Sequence, residues 1–337
     1  VAISDFSRFI TFPLLFDFVA CKIKSSQIAC KILFHISQFT ILSFIPFIFK
    51  FLHSKKSLDL TDSALEMQEI AERTSGIFSS PHVASCLLAL CIVYLLHYYF
   101  CNRHTFLKKL FLVALILLGV YAIVLTYARG GWLMLIVGVF GLLAKSNLKF
   151  VLTSILLFLS MLLVGSYLME HNEYFYNRIT DRNEEGVKNS SDRVGSGRLW
   201  FASNGIDFYL DSETVQEYLT GKGLISLMEY QQRKTGLYIY CHNGYIDALA
   251  QNGILGFMVN IAMSVCMLLY VCIKKGYAYR RFCIVGVIMY IIFQMVQGGA
   301  APYTDFFWVV ILQLATLSQK ESQNYKVNYE RNKMVKA

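Results

Sequence analysis

Long apolar runs separated by short polar connections dominate the pattern of this sequence. Each run is continuous, without the polar–apolar alternation over about ten positions that marks a strand of a membrane barrel. Since about 20 helical residues cross a hydrocarbon core about 30 Å thick, such runs predict transmembrane helices. We therefore predict an all-α, polytopic helical bundle with eight clear spans, at 29–49, 83–101, 107–127, 131–144, 148–168, 253–273, 282–298 and 303–319. A weaker ninth run at 6–21 is interrupted by Asp17.

One long polar segment, residues 169–252, stands between two blocks of these runs. A polar loop of this length between spans is where a membrane protein meets a water-soluble or headgroup substrate, so we expect it to carry the functional site. The predicted parts are N-terminal transmembrane helices at 1–168, the large loop at 169–252, C-terminal transmembrane helices at 253–319 and a basic cytoplasmic tail at 320–337. Because the chain begins with Val1 and shows no clear signal peptide, we expect further spans before it.

The composition strengthens the membrane prediction. Residues are 56% hydrophobic and only 16% charged, whereas soluble domains carry about 25% charged residues. The net charge of +9 does not indicate nucleic-acid binding, because the basic residues gather in short connections rather than on one face. The nine cysteines lie mostly inside apolar runs and form no CxxC pair, which favours small buried hydrophobes over a metal site or a disulfide framework.

The distribution of Lys and Arg predicts an orientation. Alternate connections are basic, and the positive-inside rule places them in the cytoplasm. They contain Lys22, Lys24 and Lys31; Arg103, Lys108 and Lys109; Lys145 and Lys149; and Lys274, Lys275, Arg280 and Arg281. The connections at 50–82, 128–131, 169–252 and 298–302 then face outward. Arg73, Arg129, Arg198 and His242 all fall on this outer side, where arginines run against the usual bias and so indicate a function.

Arg129 and Arg198 both stand beside glycines. Arg129 precedes Gly130 and Gly131, and Arg198 follows Gly197 at a predicted helix start. Glycine permits close approach of a ligand, the planar guanidinium binds phosphate through two hydrogen bonds, and free N–H groups at a helix start favour an anion. The alternative interpretations are an interfacial anchor for Arg129 and a solvated loop residue for Arg198.

His242 precedes a second pattern, a set of apolar residues at helical spacing. Tyr245, Leu249 and Ile254 follow it at helical spacing, which predicts an amphipathic helix near the outer interface that leads into the 253–273 span. Histidine has a suitable pKa to remove a proton from a sugar hydroxyl near neutral pH. The alternative is a surface histidine at a helix cap. A zinc site lacks a partner motif, because the chain has no HExxH.

Taken in order, these strings resemble the O-antigen polymerase and O-antigen ligase family of bacterial inner-membrane glycosyltransferases. The strings are RTSG at 73–76, SPHVA at 80–84, ARGG at 128–131, SGRLW at 196–200 and HNGYIDALAQNGILG at 242–256. The similarity spans roughly residues 70 to 315, and the ordered set is more specific than any single string. The chain departs from many relatives at His82, where they have an asparagine.

The resemblance implies a metal-independent enzyme without a cofactor, in the bacterial inner membrane, with its large loop in the periplasm. The implied donor is an undecaprenyl-diphosphate-linked oligosaccharide. The implied acceptor is a sugar hydroxyl of a glycan or of lipid A core, and a chain-length regulator is a further expected partner. Carried over by motif, Arg129 and Arg198 engage the diphosphate and His242 acts as the base. Arg73 is a weaker candidate for the same pocket, and Asn243 and Tyr245 are expected to bind substrate.

Several alternatives remain open at this point. The sequence does not separate a polymerase of O-antigen repeats from an O-antigen ligase that acts on lipid A core in lipopolysaccharide biosynthesis. A transporter or flippase of lipid-linked sugars would need ionisable or broken helices at mid-membrane depth, and the predicted spans are nearly free of mid-span charge. Glycoside hydrolysis would need a carboxylate pair, and no spacing singles out two of the acidic residues in the large loop.

Overall fold

The computed structural model describes residues 17–49, 74–78, 80–143, 198–273, 276–296 and 302–336, and throughout these ranges the regular structure is helical. The helices are α1 (Ser26–Leu42), α2 (Ile45–Ile48), α3 (Pro81–Cys101), α4 (Phe106–Leu125), α5 (Arg129–Leu143), α6 (Arg198–Leu210), α7 (Val215–Thr220), α8 (Leu224–Thr235), α9 (Gly244–Ile273), α10 (Arg280–Val296) and α11 (Pro302–Lys336). Residues 17–22 are also helical. The predicted all-α class is therefore confirmed for the described part of the chain.

Four segments within these ranges are long and apolar enough to cross a membrane. They are Ser26–Ile48, which joins α1 and α2, together with α3, α4 and α9, while α5 is apolar but shorter. A multi-pass helical membrane protein is thus confirmed. The total of eight or nine spans and the outward placement of the large loop stay predictions, and the predicted run at 148–168 lies outside the described residues.

Helix α3 forms the centre of the bundle. Its side chains from Val83 to His97 are all buried, on every face of the helix, as expected of a helix that is apolar all round. Helices α1, α4, α5 and α10 pack around it. By contrast, α4 and α9 leave large apolar side chains uncovered, among them Phe106, Leu107, Met258 and Val259. In a membrane protein such outward apolar faces are suited to lipid contact.

Glycines bring α5 against the central helix. A Cβ atom added at Gly131 would overlap Ser85 of α3, and one added at Gly130 would lie 2.8 Å from Cγ1 of Val296. Small residues of this kind let transmembrane helices approach closely. The two glycines of the ARGG string therefore fix where α5 begins, directly between the start of α3 and the end of α10.

The described part of the predicted large loop, residues 198–252, is largely helical. Helices α6 to α8 and the start of α9 enclose a small core of Phe208, Leu227, Cys241 and Ala250. Helix α9 is broken at Gly253, which has φ +64° and ψ −166°, so its first two turns are distinct from the span that follows. The predicted boundary between loop and span, at residue 253, coincides with this break.

The break depends on glycine at two places. A Cβ atom at Gly253 would lie 2.5 Å from the carbonyl carbon of Leu219 and 2.6 Å from the nitrogen of Gly221. Gly221 itself has φ +75° and would overlap Gln251 if it carried a side chain. The end of α7 is thus pressed against the turn in α9, backbone to backbone, which only glycine permits.

Candidate functional site

Arg198 stands at the first position of α6 and joins three distant parts of the chain. Its Nη1 donates a hydrogen bond to the carbonyl oxygen of Val296 at 2.7 Å. Its Nη2 lies 3.2 Å from Nδ1 and 3.5 Å from Nε2 of His82. Val296 is the last described residue of α10, and the guanidinium supplies a donor to its carbonyl oxygen at this end of the helix.

The two distances from Nη2 define how Arg198 and His82 meet. The two imidazole nitrogens flank a single carbon atom, so a nitrogen nearly equidistant from both would collide with that carbon if it lay in the ring plane. The guanidinium nitrogen therefore lies over the ring rather than along one lone pair. A cationic nitrogen over an aromatic face is a cation–π contact, and it favours a neutral imidazole.

Arg129 stands at the first position of α5, with an exposed side chain. Its neighbour Gly130 approaches the side chain of Val296, whose carbonyl binds Arg198. The preceding Tyr127 has φ +52°, a left-handed value that is uncommon outside glycine. The strained turn thus brings the start of α5 to the residue that already anchors Arg198.

Three helix N-termini meet at this place. Helix α3 contributes His82, α5 follows from Arg129, and α6 follows from Arg198, and the contacts of His82 with Arg198 and of Gly131 with Ser85 hold them together. The helices have 21, 15 and 13 residues. Because the N-terminal end of each helix carries partial positive charge, Arg198 and these helix dipoles favour an anion beside His82, with Arg129 at the start of the adjacent α5.

Residue Arg73 lies outside the described residues. The next residue, Thr74, is described, and its backbone N–H donates to the carbonyl oxygen of Leu125 at 3.2 Å. That carbonyl ends α4, just before the ARGG turn. The RTSG string is therefore attached beside the ARGG string, while the role of Arg73 stays a prediction.

His242 lies next to the start of α6. Its ring centroid is 6.1 Å from that of Phe201 and 4.5 Å from that of Tyr240. Its Nδ1 is buried and has no hydrogen-bond partner among the described residues. Burial, and then the positive charge of Arg198, lower the pKa of His242 to about 4. The imidazole is therefore neutral at pH 7 and has a lone pair with which to accept a proton.

The other two residues predicted to bind substrate have structural contacts. The Oδ1 atom of Asn243 accepts hydrogen bonds from the backbone N–H groups of Tyr245 and Ile246, at 3.1 and 3.2 Å, which caps α9. The hydroxyl of Tyr245 is 2.9 Å from that of Ser264, beyond the break in α9. Both side chains therefore stabilise the helix that follows His242, and their roles in substrate binding stay predictions.

A buried polar network, which the sequence did not reveal, lies beside the turn that contains His242. Gln231 donates through Nε2 to the carbonyl oxygen of Phe201 at 2.7 Å and accepts from Asn204 at 3.2 Å. Asp247 accepts from the backbone N–H of Cys241 at 2.8 Å. These polar residues differ from the others in the segment only in being buried. The burial of a polar residue cannot be predicted from a sequence in which polar and apolar positions follow no regular period.

Cys241 is the nearest thiol to His242 in sequence, and it is fully buried. Desolvation, and then the adjacent Asp247 carboxylate, raise the pKa of its thiol. A thiol that stays protonated is a poor nucleophile, so Cys241 serves packing rather than covalent chemistry. In the ranges that the structure covers, no three side chains of His, Cys, Asp or Glu are grouped to hold a metal ion.

Comparison with known proteins adds one match. Residues 112–261 match the family model described as Wzy_C, O-Antigen ligase. A comparison with curated proteins finds no match. The matched range begins within α4 and ends within α9, so it contains the ARGG turn, α6 and His242 together. Residues 112–261 are therefore an O-antigen ligase family domain, which confirms the family resemblance predicted from the ordered motifs.

Proposed function

We propose that the protein transfers glycan from an undecaprenyl-diphosphate-linked oligosaccharide to a sugar hydroxyl at the periplasmic face of the bacterial inner membrane. The family match supports the coarser role, glycan transfer at a membrane in the synthesis of O-antigen or a similar surface polysaccharide. The observation that carries the proposal is that Arg198 contacts His82 and lies close enough to the buried His242 to lower its pKa, while Gly130, the neighbour of Arg129, packs on Val296, the residue that binds Arg198.

In this proposal the arginines act on the leaving group. The bond between the anomeric carbon and the diphosphate oxygen breaks, and the electron pair stays on the diphosphate. Arg198 and Arg129, with the N–H groups that begin α3, α5 and α6, stabilise the negative charge that develops there. Because these groups are already in place before the lipid-linked substrate binds, little reorganisation is needed as the bond breaks.

His242 acts on the acceptor. The sugar hydroxyl attacks the anomeric carbon and gives its proton to a ring nitrogen of His242. One direct displacement inverts the configuration at the anomeric carbon. The lowered pKa of His242 makes it a weak base in the free protein. A bound diphosphate offsets the positive charge of Arg198, so binding of the donor raises the pKa of His242 toward the range useful for catalysis.

The test uses purified protein and a synthetic undecaprenyl-diphosphate-linked repeat. The wild-type protein should convert it to elongated product, or transfer it to added lipid A core, without added nucleotide. Arg129→Ala, Arg198→Ala and His242→Ala should each abolish transfer while the protein still inserts into membranes. Full activity in all three variants would overturn the assignment of the site.

Polymerase and ligase activities are separated by the product that accumulates in a deletion strain. A strain that lacks a polymerase carries a single repeat on its lipid A core. A strain that lacks a ligase accumulates long polymer on the lipid carrier. The same assay with the two acceptors in parallel, lipid-linked repeat and lipid A core, identifies which acceptor hydroxyl the site accepts.

A further inference from the structure

His242 has a backbone conformation that is uncommon outside glycine. Its φ is +56°, and among the described non-glycine residues only Tyr127 shares a positive φ. Left-handed conformations of this kind persist where surrounding contacts hold them. Both residues lie in or beside a predicted functional string, so the contacts that hold His242 in this conformation bear on the reaction.

The contacts come from Asp247, one turn into α9. Its Oδ1 accepts the backbone N–H of Cys241 at 2.8 Å. Its own backbone N–H donates to the carbonyl oxygen of Asn243 at 2.7 Å. Cys241 and Asn243 are the residues on either side of His242. Asp247 therefore bridges across the left-handed residue, with its carboxylate on one side and its backbone on the other.

The carboxylate of Asp247 is buried. Asp247 is only 6% exposed, and a buried carboxylate is costly unless its oxygens accept hydrogen bonds. Its Oδ2 shows no hydrogen bond in the part of the chain that is described. An asparagine would fill the same volume, but its NH₂ group must take one of the two oxygen positions: at Oδ1 it faces the Cys241 N–H donor, and at Oδ2 it adds a buried donor that needs an acceptor of its own. The position thus depends on acceptor oxygens rather than on volume.

We propose that Asp247 is a positioning residue for His242, which fixes the left-handed turn at residues 241–243 and so aims the imidazole at the acceptor hydroxyl. This inference rests on the proposed function of the site. It assigns Asp247 no contact with substrate. Loss of the carboxylate releases the turn, and His242 relaxes to an ordinary backbone conformation in which its ring points elsewhere.

The kinetic test compares Asp247→Asn with the wild type in the transfer assay with synthetic lipid-linked repeat. Misplacement of a catalytic group by about 1 Å lowers a rate by about 100-fold. We expect kcat to fall by about 100-fold while KM for the donor stays within about threefold, because the arginines are unchanged. The matched control is Glu229→Gln, which neutralises an exposed carboxylate on α8 and should keep kcat within about twofold.

A second measurement does not depend on activity. Diethyl pyrocarbonate modifies accessible imidazole groups, and mass spectrometry of the peptide that contains His242 reports its rate of modification. In the wild type the ring lies against Tyr240 and Phe201. Asp247→Asn should increase this rate several-fold, and Glu229→Gln should not change it. An inactive wild-type protein would contradict the proposed function, and the modification rates would still test the inference.

The remaining outcomes decide against the proposal. A folded Asp247→Asn variant with unchanged kcat and unchanged modification rate overturns it, and so does a loss confined to donor KM. If Asp247→Asn fails to accumulate in membranes, Asp247→Glu takes its place, since glutamate keeps the charge but its added methylene displaces the oxygens from the Cys241 N–H. A fully active Asp247→Glu variant, or failure of both variants to fold, shows that Asp247 does not act by aiming His242.

Discussion

The Nη2 atom of Arg198 lies over the imidazole ring of His82, 3.2 Å from Nδ1 and 3.5 Å from Nε2, across 116 positions of sequence. Arg198 opens α6 and His82 lies in the first turn of α3, so this contact ties the polar segment to the central helix of the bundle. The second contact of Arg198, to the Val296 carbonyl, leaves the guanidinium little freedom. The side chain proposed to meet the diphosphate is therefore preorganised by residues outside the polar segment.

Replacement of His82 tests this preorganisation. His82→Ala removes the ring that lies under Nη2 of Arg198, and a cation–π contact at a partly buried site is worth up to about 2 kcal/mol. We expect kcat/KM to fall about tenfold, and His82→Phe, which keeps an aromatic face, to restore much of it. The assay is transfer from the lipid-linked repeat. His35→Ala, which removes an exposed histidine of α1, is the matched control. Wild-type kinetics for His82→Ala would contradict a role in holding Arg198.

The pKa of His242 predicts the dependence of transfer on pH. The base must be unprotonated to accept a proton, and the pKa of His242 is lowered to about 4 in the free protein. The profile of kcat/KM reports the free enzyme. It should stay level from pH 7 down to about 5 and fall as the pH passes through the lowered pKa of His242.

The profile of kcat reports the enzyme with donor bound, where the diphosphate offsets Arg198. We therefore expect its acidic limb at higher pH than that of kcat/KM. Initial rates at saturating and at limiting donor, measured across pH 4 to 8 in the same detergent, provide both profiles. Coincident limbs would argue against the coupling of donor binding to His242.

The break in α9 predicts a strong effect at Gly253. Alanine there must adopt φ +64° and place a Cβ atom 2.5 Å from the backbone of Leu219. We expect Gly253→Ala to lose activity and to lower the unfolding temperature by several degrees, since the backbone at Leu219 and Gly221 must move away from the new methyl group. Gly236→Ala is the matched control, because Gly236 has φ +80° with no atom within 4 Å of its Cβ position. Gly236→Ala should lower the free energy of unfolding by only about 1 kcal/mol, which is the cost of a left-handed backbone for alanine without any steric overlap. Equal unfolding temperatures for the two variants would contradict the close approach of α7.

The orientation is tested by labelling single cysteines in a variant without the native ones. Ser203 is exposed on α6 and Gln323 is exposed in the C-terminal part of α11. If α6 faces the periplasm and the tail faces the cytoplasm, a membrane-impermeant maleimide should label Ser203→Cys in intact cells. It should label Gln323→Cys only after lysis. Labelling of both positions in intact cells, or of Gln323→Cys alone, would contradict the predicted topology.

The apolar pattern predicted the helical class and several helix positions well. The runs at 83–101 and 107–127 correspond closely to α3 and α4, because a run of spanning length leaves no alternative to helix in a bilayer. The helix start at Arg198 and the helix after His242 also followed from local signals, a glycine before Arg198 and the helical spacing of apolar residues after His242. These features depend on neighbours in sequence, which a single chain displays.

Contacts between segments that are distant in sequence could not be predicted from these local signals. The partners of Arg198, which are His82 and the Val296 carbonyl, lie near one another only once α3, α6 and α10 are packed. The role of Asp247 depends on its burial and on a backbone turn, and neither leaves a periodic pattern. Nothing near His82 in sequence indicates a partner, and its contact with Arg198 gives that position a physical role.

The first two turns of α9 fold back along the span that follows Gly253. Asn260 donates to the carbonyl oxygen of Gly244 at 3.2 Å, and Tyr245 meets Ser264. The imidazole of His242, two residues before α9 begins, is thereby tied to the start of this span. Under the proposed function, the folded-back start of α9 sets the depth at which His242 meets the acceptor hydroxyl, and the bilayer sets the depth of the diphosphate of every lipid-linked donor.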